Sequence, residues 1–374
     1  MSALETQLAA FAEAANNPSA VLDEHIAAGK RVIGVGPYYI PEELVHAAGA
    51  VPFGVWGRVG TAKEAKKYFP PFYCSICQMT LEMGMEGTLS KLSALMTTGL
   101  CDTLRAASQN FKVGIQIPQI YVSQPQNRTC ASGRQYAVTS YIETKRKVEE
   151  AAGQVITDEA LSASIKLFNE WRHAIREFVK LAGTHAGEVS VANRLAVINA
   201  GYYLEKEKHL AMVKELNAAL AALPESTDGK KKVVLSGIYE DIPAITEILE
   251  SNGYAVVADD LAKESRAFAM EVSESGDPLE ALADGYCSLS GDSVLYDPKK
   301  LHVSKVVDLV KESGAAGVIL LLAKFCDPEE FEAPVLVKAL KAEGVPVVTV
   351  EVDQQTESYE QARTQLETFA ELLG

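Results

Sequence analysis

The sequence predicts an α/β protein with two similar four-stranded parallel sheets and helical segments around them. Three observations lead there. Stretches opening at Lys30 and at Lys231 read as the same strand–helix–strand unit. Each half then repeats a strand and a helix joined by a Cys-Asp step, at Cys101-Asp102 and at Cys326-Asp327. Between the halves, apolar residues recur only at helical spacing.

Residues 1–29 read as a helical segment expected to pack outside the first sheet. The first α/β domain is expected over 30–150. It opens on Val32-Ile33, passes Pro41 at an early helical position and Gly49 at a helix end, and enters a second strand. The second half repeats this with Val233-Val234, Pro243 and Gly253. Proline inside a helix start and glycine just past its end is the expected asymmetry. Leu92–Thr98 is a buried strand, a helix follows Cys101 as far as Lys112, and Ile117–Ser123 is the fourth strand. In the second domain, 230–374, the matching pieces are Val318–Leu322, a helix to about Ala342, and Pro346–Val352. Pro328 with Glu329 and Glu330 marks that helix start. A repeat of this length points to Rossmann/flavodoxin-like sheets that arose by internal duplication.

Residues 151–229 form the helical segment and linker. Leu161, Ile165, Phe168, Trp171, Ile175 and Phe178 make one apolar stripe, read as core. One or two further helices cover Val191–Leu223, Pro224–Gly229 is the linker, and 357–373 is a closing helix.

Bulk properties narrow the function. The chain has 374 residues, 48% hydrophobic and 23% charged, as in ordinary globular proteins. A formal charge of −15 argues against a nucleic-acid or anionic-membrane partner, and Lys230-Lys231-Lys232, the densest basic run, reads as solvated. No secretory leader pattern and no long apolar run is present, so a cytoplasmic location is expected and its six cysteines should be thiols or ligands. The six histidines are dispersed, which leaves a His-based zinc site little support.

Cys101 and Cys326 follow strands at corresponding places, where parallel sheets bind ligands, and each precedes a helix whose positive end favours a thiolate. A third candidate is Cys74 or Cys77, where a loop enters a helix at Ser75; Cys74, at its mouth, is preferred. Any one of these could be a small buried hydrophobe, and one CxxC is not a zinc ribbon. Three thiolates suit an iron–sulfur cluster with one iron open, and no fourth cysteine is expected to close it. Cys130, at a helix start, and Cys287, in an irregular stretch, read as incidental.

Other motifs say less. Gly34-Val35-Gly36 lacks the rest of a dinucleotide fingerprint, and there is no P-loop and no GxSxG elbow. Glu42-Glu43 and Asp259-Asp260 are expected to be solvated. Asp353-Gln354-Gln355-Thr356 could cap the last helix or line the site.

The segments PYYIPEELVHAAGAVPFGVWG (37–57), FYCSICQ (72–78), LCDTLR (100–105), SQNFK (108–112), VVADDLAKESRAF (256–268), FCDPEE (325–330) and EVDQQTESYEQARTQLETF (351–369) together resemble β subunits of the 2-hydroxyacyl-CoA dehydratases, most of all the (R)-2-hydroxyglutaryl-CoA dehydratases. The resemblance runs from about residue 28 to the C-terminus. It implies a heterodimer with a homologous α subunit, a 4Fe–4S cluster on Cys74, Cys101 and Cys326, and an ATP-dependent iron–sulfur activator protein. Cys77 departs from the family pattern as a local addition. FMN in the complex is a further implication. The implied reaction converts a 2-hydroxyacyl-CoA, (R)-2-hydroxyglutaryl-CoA above all, to the 2-enoyl-CoA, here (E)-glutaconyl-CoA. One electron added to the thioester gives a ketyl radical that expels the hydroxyl and acidifies the β-proton. A subunit of a benzoyl-CoA reductase and a non-catalytic two-domain binding protein are the alternatives.

Overall fold

The computed structural model describes residues 2–374. The chain begins with α1 (Ala3–Asn16) and α2 (Pro18–Ala27). Ser2 and Glu5 form a reciprocal capping box at the start of α1, satisfying amides that a helix end otherwise leaves free. The apolar side of α1, with Leu8 and Phe11, turns away from the first sheet and packs on the central helices; only α2 reaches a strand. Of the segment expected outside the first sheet, α2 packs there and α1 does not.

The first half continues as β1 (Val32–Val35), α3 (Glu42–Ala47), β2 (Val51–Gly54), α4 (Ser75–Met85), β3 (Ala94–Thr98), α5 (Asp102–Gly114) and β4 (Gln119–Val122). β1, β2 and β3 are buried along their whole length, as in a parallel sheet covered on both faces. The central helices are α6 (Ala131–Ala152), α7 (Asp158–Thr184), α8 (Val191–Ala200) and α9 (Lys206–Ala221). The second half is β5 (Lys231–Gly237), α10 (Pro243–Ser251), β6 (Tyr254–Leu261), α11 (Pro278–Ser288), α12 (Leu301–Ser313), β7 (Gly317–Ala323), α13 (Asp327–Ala342), β8 (Val347–Val352) and α14 (Glu360–Leu373).

Both sheets are entirely parallel and share one strand order, β2-β1-β3-β4 and β6-β5-β7-β8. In each, the connections leave the first strand in opposite directions, so the order reverses between β1 and β3 and between β5 and β7. Crevices at the carboxyl ends of strands open at such reversals. Gly36 explains the glycine-rich turn after β1 in structural terms: a Cβ there would stand 1.8 Å from the Val55 carbonyl oxygen. The turn is a close backbone crossing.

The stripe on α7 is buried as expected, and Trp171, Ile175 and Phe178 form one core with α1, α8 and α9. His209 sits inside it, accepting from Trp171 Nε1 at 2.9 Å and bonding the Val197 carbonyl at 2.8 Å. Burial pulls its pKa down to about 3, so the ring is neutral. The 224–229 linker is irregular but pinned, with Ser226 N donating to Thr184 O and Gly187 N to Ser226 O. A larger core runs without a break from residues of the first sheet, such as Val32 and Leu95, to residues of the second, such as Val233 and Ile319.

The paired acids are not solvated. Glu43 is buried against Arg172, and Lys206 pairs with the half-buried Glu42 at 3.0 Å. Asp259 pairs with buried Arg194, which Glu264 also meets. Asp260 pairs with Arg266 at 2.7 Å and accepts from His302 at 2.7 Å. Side chains at a strand's carboxyl end face either solvent or whatever elements fold over them, and here α8 and the 262–268 turn fold over them. Cys287 lies inside α11 rather than in an irregular stretch.

Candidate functional site

Cys74, Cys101 and Cys326 occupy the same local position: each is the N-cap of a helix, of α4, α5 and α13 respectively. The sequence accounts for each start. Pro71 stands in a turn closed by Tyr73 N donating to Pro70 O at 3.2 Å just before Cys74, Asp102 is acidic in the first turn of α5, and Pro328 with three acids opens α13. Cys101 Sγ accepts a hydrogen bond from Leu104 N at 3.5 Å. The backbone N–H groups of Ile76 and Cys77 act on Cys74, and that of Glu329 acts on Cys326, in the same charge-stabilising sense. A helix N-terminus offers such unpaired donors, and a sulfur anion there is stabilised as an oxygen cap would be.

Cys101 follows β3 and Cys326 follows β7, the corresponding strands at the two order reversals. Phe325, just before Cys326, holds a left-handed backbone at φ 62°. A bulky side chain there costs on the order of 1–2 kcal/mol, so the surroundings must impose it. Lys324 N bonds Val352 O at 2.9 Å, Cys326 N bonds Ala323 O at 3.0 Å, and Phe325 N donates to Glu330 at 3.1 Å. These bonds aim the thiol.

The thiols are electrostatic neighbours. Cys74 acts on Cys101 and Cys326, and Cys101 acts on Cys326. Burial is the leading reason that Cys101 is pushed up to about 12 and Cys326 well above the ordinary thiol range. Cys74 moves down, because the Cys77 thiol hydrogen-bonds to it first of all. Cys77, buried at the third position of α4, is raised by that same bond and by burial, and it also feels Cys101 and Cys326. As neutral thiols in a dry site these groups are poorly solvated; an electropositive centre among them would oppose the upward shifts of Cys101 and Cys326 and add to the downward shift of Cys74.

Residues from both halves close over this point. Ser75 Oγ meets Tyr239 OH at 3.4 Å and receives Gln354 N at 3.3 Å. Gln354 Nε2 donates to Trp56 O at 2.8 Å, and the Gln354 main-chain carbonyl accepts from Gly60 N at 2.9 Å. Gln355 accepts from Ala62 N at 3.1 Å. The 353–356 segment thus fastens the second half to the first beside Cys74 and does not cap α14, whose N-cap is Tyr359. Its position after β8 pointed to a site role; which groups it would meet, Trp56 and Ser75, was not readable from spacing. Phe72 and Phe331, close in sequence to Cys74 and Cys326, are 66% and 80% exposed.

Cys130 and Cys287 lie away from these thiols. Cys130 Sγ donates to Asn127 O at 3.4 Å and meets Ser132 Oγ at 3.3 Å, so it is not without partners, and Cys287 is its electrostatic neighbour. Among the described residues, no three His, Cys, Asp or Glu could hold one metal ion. A cubane places each thiolate on a different iron, so its ligands stand further apart than ligands sharing one ion. An all-sulfur donor set at three helix N-termini drawn from two lobes fits that group.

The fold and this face define a duplicated, two-lobed parallel α/β protein with thiols gathered at matching strand ends. The sequence comparisons then place it: residues 37–373 match the family described as 2-hydroxyglutaryl-CoA dehydratase, D-component, and the chain belongs to that family. It is 43% identical to the (R)-2-hydroxyglutaryl-CoA dehydratase subunit beta of Acidaminococcus fermentans, over 99% of this chain and 100% of the relative. It is 37% identical to an (R)-phenyllactyl-CoA dehydratase beta subunit of Clostridium sporogenes, over 97% of each chain. It is 29% identical to one of the subunits of a benzoyl-CoA reductase from Thauera aromatica, over 91% of this chain and 90% of the relative. No helix among the described residues is long and apolar enough to cross a membrane.

Proposed function

We propose that this chain is the iron–sulfur β subunit of a 2-hydroxyacyl-CoA dehydratase, a hydro-lyase acting on (R)-2-hydroxyglutaryl-CoA to give (E)-glutaconyl-CoA. The observation that carries the reading is the set of three cysteines, each capping a helix, at corresponding strand ends and at the loop between β2 and α4. Cys74, Cys101 and Cys326 would hold a 4Fe–4S cluster, which supplies low-potential single electrons for eliminating water from a substrate whose β-proton the thioester does not acidify.

The chain's own residues do the rest. The three helix N-termini offset the negative charge of bound thiolates. Tyr239, Trp56 and Gln354, all buried, would shield the thiols from water beside Cys74. The exposed Phe72 and Phe331 suit coverage by a homologous α subunit, and an ATP-dependent iron–sulfur activator would inject the electron that this chain's cluster passes on. The acyl-CoA substrate and any FMN would belong to the assembled complex. Greater identity, over more of the chain, to dehydratase subunits than to the benzoyl-CoA reductase relative favours the dehydratase reading.

The test is to purify the chain with its α subunit anaerobically and to add activator, ATP and reductant. We expect dehydration of (R)-2-hydroxyglutaryl-CoA and no reduction of benzoyl-CoA; the reverse outcome overturns the reading. In the same preparation, Cys101→Ser or Cys326→Ser is expected to lower iron and labile sulfide sharply, whereas Cys130→Ser and Cys287→Ser leave both unchanged. Full iron in the first two variants would refute the ligand assignment.

A further inference from the structure

Away from the cleft, the start of α6 and the end of α11 are joined by a ladder of bonds. Arg134, in the first turn of α6, donates from Nη2 to Glu280 and to Asp284 on α11, each at 2.9 Å. Arg128, just before α6, donates from Nε at 3.0 Å and from Nη2 at 2.6 Å to Leu289 O, one residue past the end of α11. As one segment advances from 128 to 134, the other therefore retreats from 289 to 280. The two helices pack in opposite directions.

Cys130 and Cys287 lie between these rungs. Glu280, Asp284 and Cys287 recur at spacings of 4 and 3, so they share one face of α11. The bonds from Arg134 show that this face is turned to α6. Cys130, the N-cap of α6, stands one turn before Arg134, whose N donates to Cys130 O at 3.0 Å. A Cβ on Gly133 would stand 2.0 Å from Asn127 O, so glycine lets the loop that carries Arg128 fold this tightly onto the helix start. Cys287 borders the large core, yet both thiols are half-buried and neither is sealed in. Cys130 opens on a cleft of about 710 Å³ bounded by Arg105, Tyr121, Asn127 and Tyr136. The two thiols also differ in readiness. The Ser132 hydroxyl first, and then the Gly133 backbone N–H, draw Cys130 toward its thiolate, whereas burial and then Asp284 hold Cys287 protonated.

We propose that Cys130 and Cys287 are a peroxide-responsive modification site, in which Cys130 is oxidised first and Cys287 then closes a disulfide between α6 and α11. The Cys130 thiolate attacks hydrogen peroxide; the O–O bond breaks, hydroxide leaves and becomes water, and Cys130 becomes a sulfenic acid, oxidised by two electrons. The Cys287 sulfur then attacks the Cys130 sulfur, the S–O bond breaks, and the Cys287 proton departs with that hydroxide as a second water. One peroxide is reduced and two thiols are joined; a dithiol returns the two electrons and two protons. Disulfides in reducing compartments are characteristically of this transient, sensing kind. Neither thiol belongs to the cluster set, so the pair stands whether or not Cys74, Cys101 and Cys326 hold iron.

The experiment uses the full-length chain, purified anaerobically, as wild type, Cys130→Ser and Cys287→Ala. Iron and labile sulfide are assayed first, so that the cluster reading is judged separately. Each sample then meets a small molar excess of hydrogen peroxide, is blocked with N-ethylmaleimide and is digested with trypsin without reductant. In the wild type, mass spectrometry is expected to find peptide 129–134 joined to peptide 267–299, at the sum of their masses less two hydrogens, and to lose this species after dithiothreitol. In Cys287→Ala, dimedone is expected to trap the sulfenic acid on Cys130. In Cys130→Ser, Cys287 is expected to stay open to N-ethylmaleimide. Wild-type chain in which both thiols still take N-ethylmaleimide overturns the proposal, as does Cys130 joined to any other cysteine. Oxidation of Cys287 in Cys130→Ser as fast as in the wild type overturns it too. Should Cys287→Ala lose its fold by circular dichroism, the near-isosteric Cys287→Ser and the wild-type peptide map decide.

Discussion

Arg266 is fully buried and faces three carboxylates: Asp260 at 2.7 Å, Glu329 at 3.1 Å and Asp292 at 3.7 Å. Asp292 also receives Tyr39 OH at 2.7 Å and Tyr38 OH at 3.3 Å, so the cluster ties the turn after β1 to the first turn of α13. Burial alone would lower the Arg266 pKa, but the three acids outweigh it and hold the charge. Removing the cation with Arg266→Met should cost about 3–5 kcal/mol in denaturant unfolding, because Glu329 and Asp292 lose their buried partner and Asp260 is left with only His302 and Lys305; a loss near zero would refute the account. His302 offers a pH test. Burial works against its charged form, yet Asp260 and Glu332 prevail and raise it from 6.5 to about 9. A raised folded pKa means the stabilisation is complete below about 6.5 and fades as pH climbs to about 9. The wild-type Tm should therefore fall across that window while His302→Gln stays flatter; parallel curves would contradict it. None of these pairings was legible in sequence, because the bases lie far along the chain or across a turn from the acids that they neutralise. Asp259-Asp260 reads as any pair of acids at a strand end.

At the level of elements the sequence spoke more clearly. Proline at helix starts, glycine at their ends and β-branched runs located β1, α10, β7 and α13 close to where they lie. The Cys-Asp steps marked two helix N-termini, and the choice between Cys74 and Cys77 reduced to which one caps α4. Which surface α1 covers was not readable, since an amphipathic stripe says that a face is buried and not against what. Phe11, with no exposed surface, stacks edge-on to His209 at 5.5 Å. Phe11→Ala should cost about 3–5 kcal/mol, seen as a lowered urea midpoint, because α8 and α9 cannot collapse into the void. A shift within error would mean that α1 is dispensable.

For the molecule as a whole, the internal duplication was written in the matching order of motifs, and the two sheets share one strand order. The depth of their union was not. One apolar core crosses from the first sheet to the second, and α7 packs on α3 from one half and on β6 from the other. We therefore expect a single cooperative calorimetric transition for the chain rather than two, with calorimetric and van't Hoff enthalpies in agreement. Two resolved peaks would show that the halves melt separately.

The fastening of Gln354 onto Trp56 and Ser75 joins residues nearly three hundred positions apart, |i−j| 298 and 279. A ribosome adding roughly 5–20 residues per second needs on the order of 10 to 45 seconds to pass from Cys101 to Cys326. Throughout that interval the earlier sulfurs have emerged with no opposite wall to shelter them. The cell must keep a nascent chain's bare thiols from air and stray metal until the final strand arrives, so the vulnerable moment in this protein's life comes before it is finished.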